Sequence, residues 1–169
     1  METKNMKVYM RTGDIINDTL ERLDLDVIVH GCNCFCTMGS GIAKQISETF
    51  LEAYEADLAT TPGDKSKLGT YTSYTYTFSK APIYNHHLTI VNAYTQYDFG
   101  RTKDKCFFNY DAFTKLIKQF NIDFKGKVVG MPWIGCGLAG GNKNKVLDIL
   151  EKYVRTFKCI IYELPATKL

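Results

Sequence analysis

Apolar side chains recur with two different periods along this chain, and each period predicts an element. Residues 26–30 form a continuous apolar run, which is typical of a strand covered on both faces, so we expect this strand at the centre of a sheet. Apolar residues at every fourth position predict a helix over 41–58. Threonine and serine alternate with aromatic residues from 70 to 78, which predicts a strand with one exposed face. The remaining predicted elements are strands at 7–11, 88–94, 127–131 and 159–164 and helices at 16–23, 105–120 and 144–157.

The order of these elements predicts the fold class. A turn over 79–86 joins two strands into a hairpin, and elsewhere strands and helices alternate. This order predicts an α/β fold, a three-layer α/β/α sandwich with a mixed central sheet of about six strands. The length of 169 residues suits a single domain over 1–169. Ligands of open α/β sheets bind beyond the carboxyl ends of the strands, so the segments that follow strands are the candidate site.

Two glycine-bearing loops follow predicted strands, and each precedes a predicted helix. They are Gly39-Ser40-Gly41 and Gly135-Cys136-Gly137. Glycine lets the backbone approach an anion, and a helix start adds free N–H groups and partial positive charge. Neither loop has the Walker or the Gly-x-Gly-x-x-Gly pattern, and a tight turn can use glycine for steric reasons alone. Two such loops suit a diphosphate better than a single phosphate.

Composition and charge narrow the expected partners. The chain is 45% hydrophobic and 23% charged, without an apolar run near the ~20 residues that span a bilayer, so we expect no membrane partner. The first seven residues lack the apolar core of a secretion signal, which predicts a cytoplasmic protein. The net charge of +3 and the scattered lysines predict no strong nucleic-acid binding.

The six cysteines raise the question of a metal site or disulfides. Three of them form Cys32-x-Cys34-x-Cys36, and the others stand alone. Structural zinc sites favour pairs with two to four intervening residues and a second such pair, which this chain lacks. We therefore expect free thiols used in packing, and neither a metal nor a cofactor.

Two polar residues that follow predicted strands each have two interpretations. The carboxylate of Asp14 could accept a hydrogen bond from an exocyclic amine such as that of adenine, or it could cap the helix behind it, which the spacing alone favours. The amide of Asn33 could bind ribose hydroxyls, or it could stabilise its own turn.

Four segments together resemble a macro domain. They are Thr12-Gly-Asp-Ile15, Val27-Ile-Val-His-Gly-Cys-Asn33, Met38-Gly-Ser-Gly-Ile-Ala43 and Met131-Pro-Trp-Ile-Gly-Cys-Gly-Leu138. They occur in the family's order over essentially the whole chain. Within the family the sequence is most similar to the ADP-ribose-1″-phosphate phosphatases and to related hydrolases that remove ADP-ribose from proteins. The resemblance implies the same three-layer fold that the element order predicts.

The resemblance also implies a ligand site. Asp14 would hold the adenine amine with help from the backbone at Gly13 and Ile15, Asn33 would lie by the distal ribose, and Tyr162 or Leu164 would lie near the adenine face. The diphosphate and distal ribose would be enclosed by two loops, whose residues are Met38, Gly39, Ser40, Gly41 and Ile42 in the first and Ile134, Gly135, Cys136, Gly137 and Leu138 in the second.

The residues that would do chemistry differ between branches of the family. In a branch that cleaves ADP-ribosyl esters, a lysine and an aspartate act where this chain has Gln96 and Ala139, so a lysine-adduct mechanism is not expected. Lys103 and Lys105 are nearby but are expected at the solvated surface. His30 could serve as a general acid or base or orient a water together with Asn33, or it could be a hydrogen-bonded core histidine.

These features predict an enzyme that hydrolyses ADP-ribose-1″-phosphate to ADP-ribose and phosphate without a metal. One alternative is a non-catalytic ADP-ribose binding module, and another is a hydrolase that removes mono-ADP-ribose from proteins. Binding of RNA or poly-ADP-ribose is a third, which the mild charge argues against.

Overall fold

A computed structural model of the chain describes residues 7–80, 84–100 and 105–166. The strands are β1 (Val8–Thr12), β2 (Val27–Cys32), β3 (Tyr71–Lys80), β4 (Tyr84–Tyr94), β5 (Val128–Pro132) and β6 (Lys158–Glu163). The helices are α1 (Ile15–Arg22), α2 (Gly41–Thr49), α3 (Leu51–Leu58), α4 (Tyr110–Asp123) and α5 (Lys143–Tyr153), with a short 3₁₀ turn at Lys65–Lys67.

The sheet is mixed, as the sequence predicts. Its strand order is β1-β6-β5-β2-β4-β3. The predicted hairpin is confirmed, since β3 and β4 pair antiparallel, whereas every other neighbouring pair is parallel. The prediction of an interior position for β2 is also confirmed, because β2 lies between β5 and β4.

Helices cover both faces of this sheet. Val27 and Val29 of β2 pack in one apolar cluster with α4 and α5, and Ile28 packs in a second cluster with α1, α2 and α3. Alternate side chains of one strand therefore enter two different cores. The predicted three-layer α/β/α sandwich is confirmed.

The helix predicted over 41–58 is wrong as a single element. It is divided at Phe50, whose φ of −122° and ψ of 74° lie outside the helical region. The ring of Phe50 is buried and packs against Tyr76, with 5.3 Å between the ring centroids. The break coincides with the packing of this ring on the sheet. The sequence at the break contains no glycine or proline.

Other boundaries differ by a few residues. Helix α4 begins at Tyr110 instead of 105, because the side chain of Asn109 caps it by accepting from the N–H of Ala112 at 2.9 Å. Helix α5 ends at Tyr153 instead of 157. The hairpin turn is shorter than the predicted 79–86, since β3 continues to Lys80 and β4 begins at Tyr84; residues 81–83 lie outside the described residues.

The parallel strands place five segment ends at one edge of the sheet. Strands β1, β6, β5, β2 and β4 all run in the same direction, so the residues that follow them meet at their common carboxyl edge. Both glycine-bearing loops begin there, after β2 and β5. None of the helices in the described parts of the chain combines the length and apolar character that a bilayer-spanning helix needs.

Candidate functional site

A cleft of about 470 Å³ opens at the carboxyl edge of β2, β4 and β5. The two glycine-bearing loops, far apart in sequence, face each other across it. Its wall includes Asn33, Gly39, Ser40, Gly41 and Ile42 from the segment after β2, and Ile134, Gly135, Gly137 and Leu138 from the segment after β5. We call the segment 33–41 loop 1 and the segment 133–141 loop 2.

Loop 1 leads into a helix start that no side chain caps. Ser40 is the N-cap residue of α2, has an extended backbone and makes no side-chain cap bond. The first N–H groups of any helix lack an intrahelical acceptor, so those of α2 remain available at the cleft. A Cβ at Gly39 or Gly41 would meet no atom within 4 Å, so the space beside the backbone of these two residues is open. By contrast, the side chain of the N-cap residue caps α1, α4 and α5.

Loop 2 is fixed by its own backbone. The N–H of Gly141 donates to the carbonyl of Gly135 at 2.6 Å, and the N–H of Gly140 donates to Gly137 at 3.0 Å. Gly135 and Gly140 have φ values of 74° and 78°, in the left-handed region that glycine adopts without steric cost. Cys136, which was expected at the ligand, does not line the cleft. Its thiol donates to the carbonyl of Ile134 at 3.5 Å, and burial raises the pKa of this thiol.

Asn33 lines the cleft but also organises loop 1. Its Nδ2 donates to the hydroxyl of Thr37 at 2.7 Å, and its Oδ1 accepts from the N–H of Phe35 at 2.8 Å. Of the two interpretations of this residue, stabilisation of its own turn is present in the structure. Thr37, which Asn33 holds, also lines the cleft.

His30 lies in the core and not in the cleft wall. It is fully buried, and its Nε2 donates to Oδ1 of Asn92 at 2.6 Å, since the amide nitrogen of Asn92 donates to the carbonyl of Ala53. Burial lowers the pKa of His30 to about 4, so the ring is neutral at physiological pH. This geometry is that of a hydrogen-bonded core histidine, and we assign His30 no contact with a ligand.

The residues expected at the adenine lie beside the cleft, near the ends of β1 and β6. Asp14 caps α1 by accepting from the N–H groups of Ile16 and Asn17 at 3.1 and 3.2 Å, which is the second of its two interpretations. A Cβ at Gly13 would lie 3.9 Å from the ring of Tyr162, and Ile15 is buried.

Tyr162 itself is buried in this group. Its hydroxyl accepts from Arg11 at 2.6 Å and donates to Asp18 at 2.7 Å. Burial, together with the bond to Asp18, raises its pKa to about 12. In the part of the chain that the structure describes, neither Tyr162 nor Asp14 lines the cleft. Met38 is buried in the core and does not line it either.

Several cleft residues escaped sequence reasoning. Trp133 directly follows β5 and is the chain's single tryptophan, a signal that could have found it. Phe99 is 50% exposed and packs on Phe35, with 6.1 Å between ring centroids, in a segment without periodicity. The remaining unpredicted residues of the wall are Gly31, Cys32, Thr37, Ala43, Gly100 and Pro132.

Gln96 and Ala139, which stand where one branch of the family has its lysine and aspartate, both line the cleft. Lys105 is exposed, as expected, and Lys103 lies outside the described residues. Both positions that the resemblance singles out therefore lie at the candidate site.

The cysteines are free thiols. Cys32, Cys34 and Cys159 are buried, and burial raises the pKa of each. Over residues 7–80, 84–100 and 105–166, no group of three or more His, Cys, Asp or Glu side chains could hold a metal ion.

Comparison with known proteins places the chain in a family. No model of a known protein family matches the sequence. An uncharacterized 17.5 kDa protein from the tk-vs intergenic region of enterobacteria phage T4 is 36% identical over 141 residues, which are 80% of this chain and 84% of the phage protein. The chain belongs to the family of this phage protein.

Solved structures show which fold this chain has. The macrodomain of Thermus aquaticus DarG matches with a TM-score of 0.68 and 15% identity, over 92% of this chain and 97% of that one. Thermosipho africanus DarTG in complex with ADP-ribose matches with a TM-score of 0.66 and 17% identity, over 95% of this chain and 43% of that one. At such identities the likeness shows the fold alone, and that fold is the macrodomain.

The cleft of this macrodomain has two distinguishable ends. Trp133 lies at the β6 end, where its Nε1 donates to the carboxylate of Glu163 at 3.2 Å. Gln96 and Phe99 lie at the opposite end, because they follow β4. A long ligand would therefore lie across the strand ends, with different surroundings at each terminus.

Proposed function

We propose that this macrodomain binds ADP-ribose in the cleft between loop 1 and loop 2. The observation that carries the proposal is the convergence of two glycine-bearing loops and the uncapped start of α2 on one cavity of about 470 Å³. Backbone N–H groups at a helix start bind anions, and two sets of them suit a diphosphate. The Thermosipho neighbour, which shares the fold, was solved in complex with ADP-ribose.

The two ends of the cleft suggest how the ligand lies. The diphosphate would contact the amides of Gly39 to Gly41 and those of Gly135 and Gly137. The N–H of Cys136 already donates to the carbonyl of Trp133 at 3.2 Å. The distal ribose would lie toward Asn33, Gln96 and Phe99, and the adenine toward Trp133 and the neighbouring Asp14. None of the described residues in the wall has a charged side chain, so backbone dipoles would carry most of the recognition of the phosphates.

Hydrolysis of ADP-ribose-1″-phosphate is the reaction we propose for this site. It is favoured by the polar amides of Asn33 and Gln96 at the end where the 1″-phosphate would lie. Water would attack phosphorus and the bond from phosphorus to the 1″ oxygen would break, which releases ADP-ribose and phosphate. Loop amides would stabilise the charge that develops on the phosphoryl oxygens. Removal of mono-ADP-ribose from proteins, and binding without chemistry, are the alternatives.

Calorimetric titration with ADP-ribose tests the binding proposal. Gly39→Glu places a carboxylate over the loop 1 amides without a steric clash, and should weaken binding by repulsion of the diphosphate. Gln45→Glu is the matched control, because it adds the same charge on the exposed side of α2 outside the cleft. A wild-type protein that gives no heat with ADP-ribose contradicts the proposal.

Phosphate release from ADP-ribose-1″-phosphate then separates the phosphatase from its two alternatives. Turnover in the wild type that falls in Asn33→Ala at saturating substrate supports the phosphatase. Tight ADP-ribose binding with background phosphate release leaves the binding module and the hydrolase that removes mono-ADP-ribose from proteins.

A further inference from the structure

Lys67 is a buried lysine next to the cleft that the proposed function does not use. It ends the short 3₁₀ turn at Lys65–Lys67, and its side chain runs inward so that only 7% of the residue is exposed. Lysine is rarely buried to this extent, because the ammonium loses its hydration and must find other partners. Its partners therefore indicate what it does.

The ammonium of Lys67 joins loop 1 to the turn after α3. Its Nζ donates to the carbonyl of Cys34 at 2.9 Å and approaches the sulfur of Cys36 at 3.5 Å, both in loop 1. It also donates to the hydroxyl of Thr60 at 2.7 Å and to the carbonyl of Thr61 at 3.4 Å. One charged group thus bridges two segments that are otherwise remote in sequence.

The charge itself is balanced at a distance. Nζ lies 4.9 Å from the centre of the Tyr94 ring, and the hydroxyl of Tyr94 donates to the carboxylate of buried Asp57 at 2.7 Å. Burial raises the pKa of Asp57, and the positive charge of Lys67 acts in the opposite direction. The ammonium is therefore held by neutral acceptors on loop 1 and in the turn after α3, and the carboxyl group of Asp57 interacts with its charge.

Loop 1 is held at Cys34 and Cys36. Besides Lys67, the N–H of Gly63 donates to the carbonyl of Cys34 at 2.7 Å, and the thiol of Cys36 donates to the carbonyl of Asp57 at 3.3 Å. Cys36 has a φ of 59°, a left-handed conformation that is costly for a residue other than glycine. Asn33 and Thr37, on either side of the held residues, line the cleft, and so do Gly39 to Gly41, whose amides follow directly. A shift of Cys34 or Cys36 would displace those amides.

We propose that Lys67 is a positioning residue of the ligand site, which holds loop 1 in its binding conformation without touching the ligand. The expected effect of Lys67 on affinity rests on the proposed ADP-ribose function. The expected effect of Lys67 on the conformation of loop 1 is independent of any ligand.

Hydrogen exchange and calorimetry of two variants test the proposal. Lys67→Met keeps an unbranched apolar chain and removes the ammonium, and Thr60→Val removes one of its acceptors with little change of shape. Leu116→Ala is the control, since it destabilises the opposite face of the sheet, where Leu116 is fully buried in the α4 and α5 cluster.

We expect Lys67→Met to accelerate amide exchange within residues 33–41 without ligand and to weaken ADP-ribose binding about tenfold, the size of one lost charged hydrogen bond. Thr60→Val should change both in the same direction by less. Leu116→Ala should lower the melting temperature at least as much while exchange in 33–41 and affinity stay near those of the wild type.

Exchange in 33–41 that matches the wild type in both variants, or that rises equally in Leu116→Ala, overturns the positioning role. If the wild type binds no ADP-ribose, the proposed function fails, and the exchange comparison still decides the role of Lys67.

Discussion

Gly135 lies so close to the ring of Phe108 that a Cβ at position 135 would overlap the ring atoms. Its φ of 74° also disfavours any other residue. We therefore expect Gly135→Ala to destabilise the protein by about 1–3 kcal/mol and to weaken ADP-ribose binding, because loop 2 must move away from Phe108. Thermal unfolding and calorimetry measure the two effects.

Gly137→Ala is the control for Gly135→Ala in the same loop. A Cβ at Gly137 would meet no atom within 4 Å, so its stability should remain within about 0.5 kcal/mol of the wild type. Equal melting temperatures for the two variants would contradict the packing that we describe.

Trp133 provides a direct optical test of the cleft. It is the single tryptophan of the chain and lies in the cleft wall, so ADP-ribose should change the intensity or wavelength of tryptophan emission. Trp133→Phe should lose the signal and still give heat with ADP-ribose. Unchanged emission at a concentration that saturates the calorimetric signal would place the ligand elsewhere.

The burial of His30 predicts a pH dependence of stability. Its pKa falls from an ordinary value of 6.5 to about 4 on folding, so between these values the unfolded chain binds a proton that the folded chain does not. The free energy of unfolding should therefore fall as the pH is lowered through this range, by about 3 kcal/mol at most from this one group.

His30→Gln isolates this contribution, since it retains a donor for Asn92 and does not titrate. The difference in unfolding free energy between wild type and variant, measured with urea, should shrink as the pH falls from 6.5 toward 4. A constant difference would mean that His30 titrates normally. Affinity for ADP-ribose at neutral pH should remain, because His30 does not line the cleft.

The helix-capping role of Asp14 can be separated from its proposed contact with adenine. Asp14→Ala removes the acceptor for Ile16 and Asn17 and should cost about 1 kcal/mol, a drop of roughly 2–4 °C in melting temperature. Asp14→Asn keeps a cap oxygen and should melt near the wild type. Both should bind ADP-ribose more weakly, since a charged acceptor makes the stronger bond to the amine.

The inosine counterpart of ADP-ribose, which lacks that amine, is the matched ligand for the Asp14 variants. Wild type should prefer ADP-ribose over it, and the variants should lose most of the preference. An Asp14→Asn protein with wild-type preference would leave Asp14 with the cap alone.

The fold was predictable where one local signal decided each element. The apolar run of β2 predicted a strand covered on both faces, and the structure places it between β5 and β4. The division of the helix at Phe50 was not predictable, because the sequence around it is helical in pattern and the break accompanies packing of the ring on Tyr76, on a strand distant in sequence. The start of α4 had a readable signal, the cap residue Asn109.

The site was predictable in its backbone and less so in its side chains. Glycines after two strands predicted loop 1 and loop 2, since the carboxyl ends of parallel strands share one edge. Phe99 was not predictable, because it enters the wall through a packing contact with Phe35 that no sequence spacing specifies. The sequence around His30 does not indicate whether its ring faces the cleft or the core. The hydrogen bond to Asn92, a residue distant in sequence, accompanies its position in the core.

The two loops that form the cleft leave from adjacent strands, as the pairing of Ile28 in β2 with Gly130 in β5 shows. Neighbouring strands in any sheet are about 4.8 Å apart, so the gap between the loop bases is set by main-chain geometry common to all sequences. Mutation within the loops can thus alter the chemical group that is recognised while the distance between the bases of loop 1 and loop 2 stays constant. Divergent members of this family should accordingly vary in what they do at the ends of a ligand more than in the length of its middle.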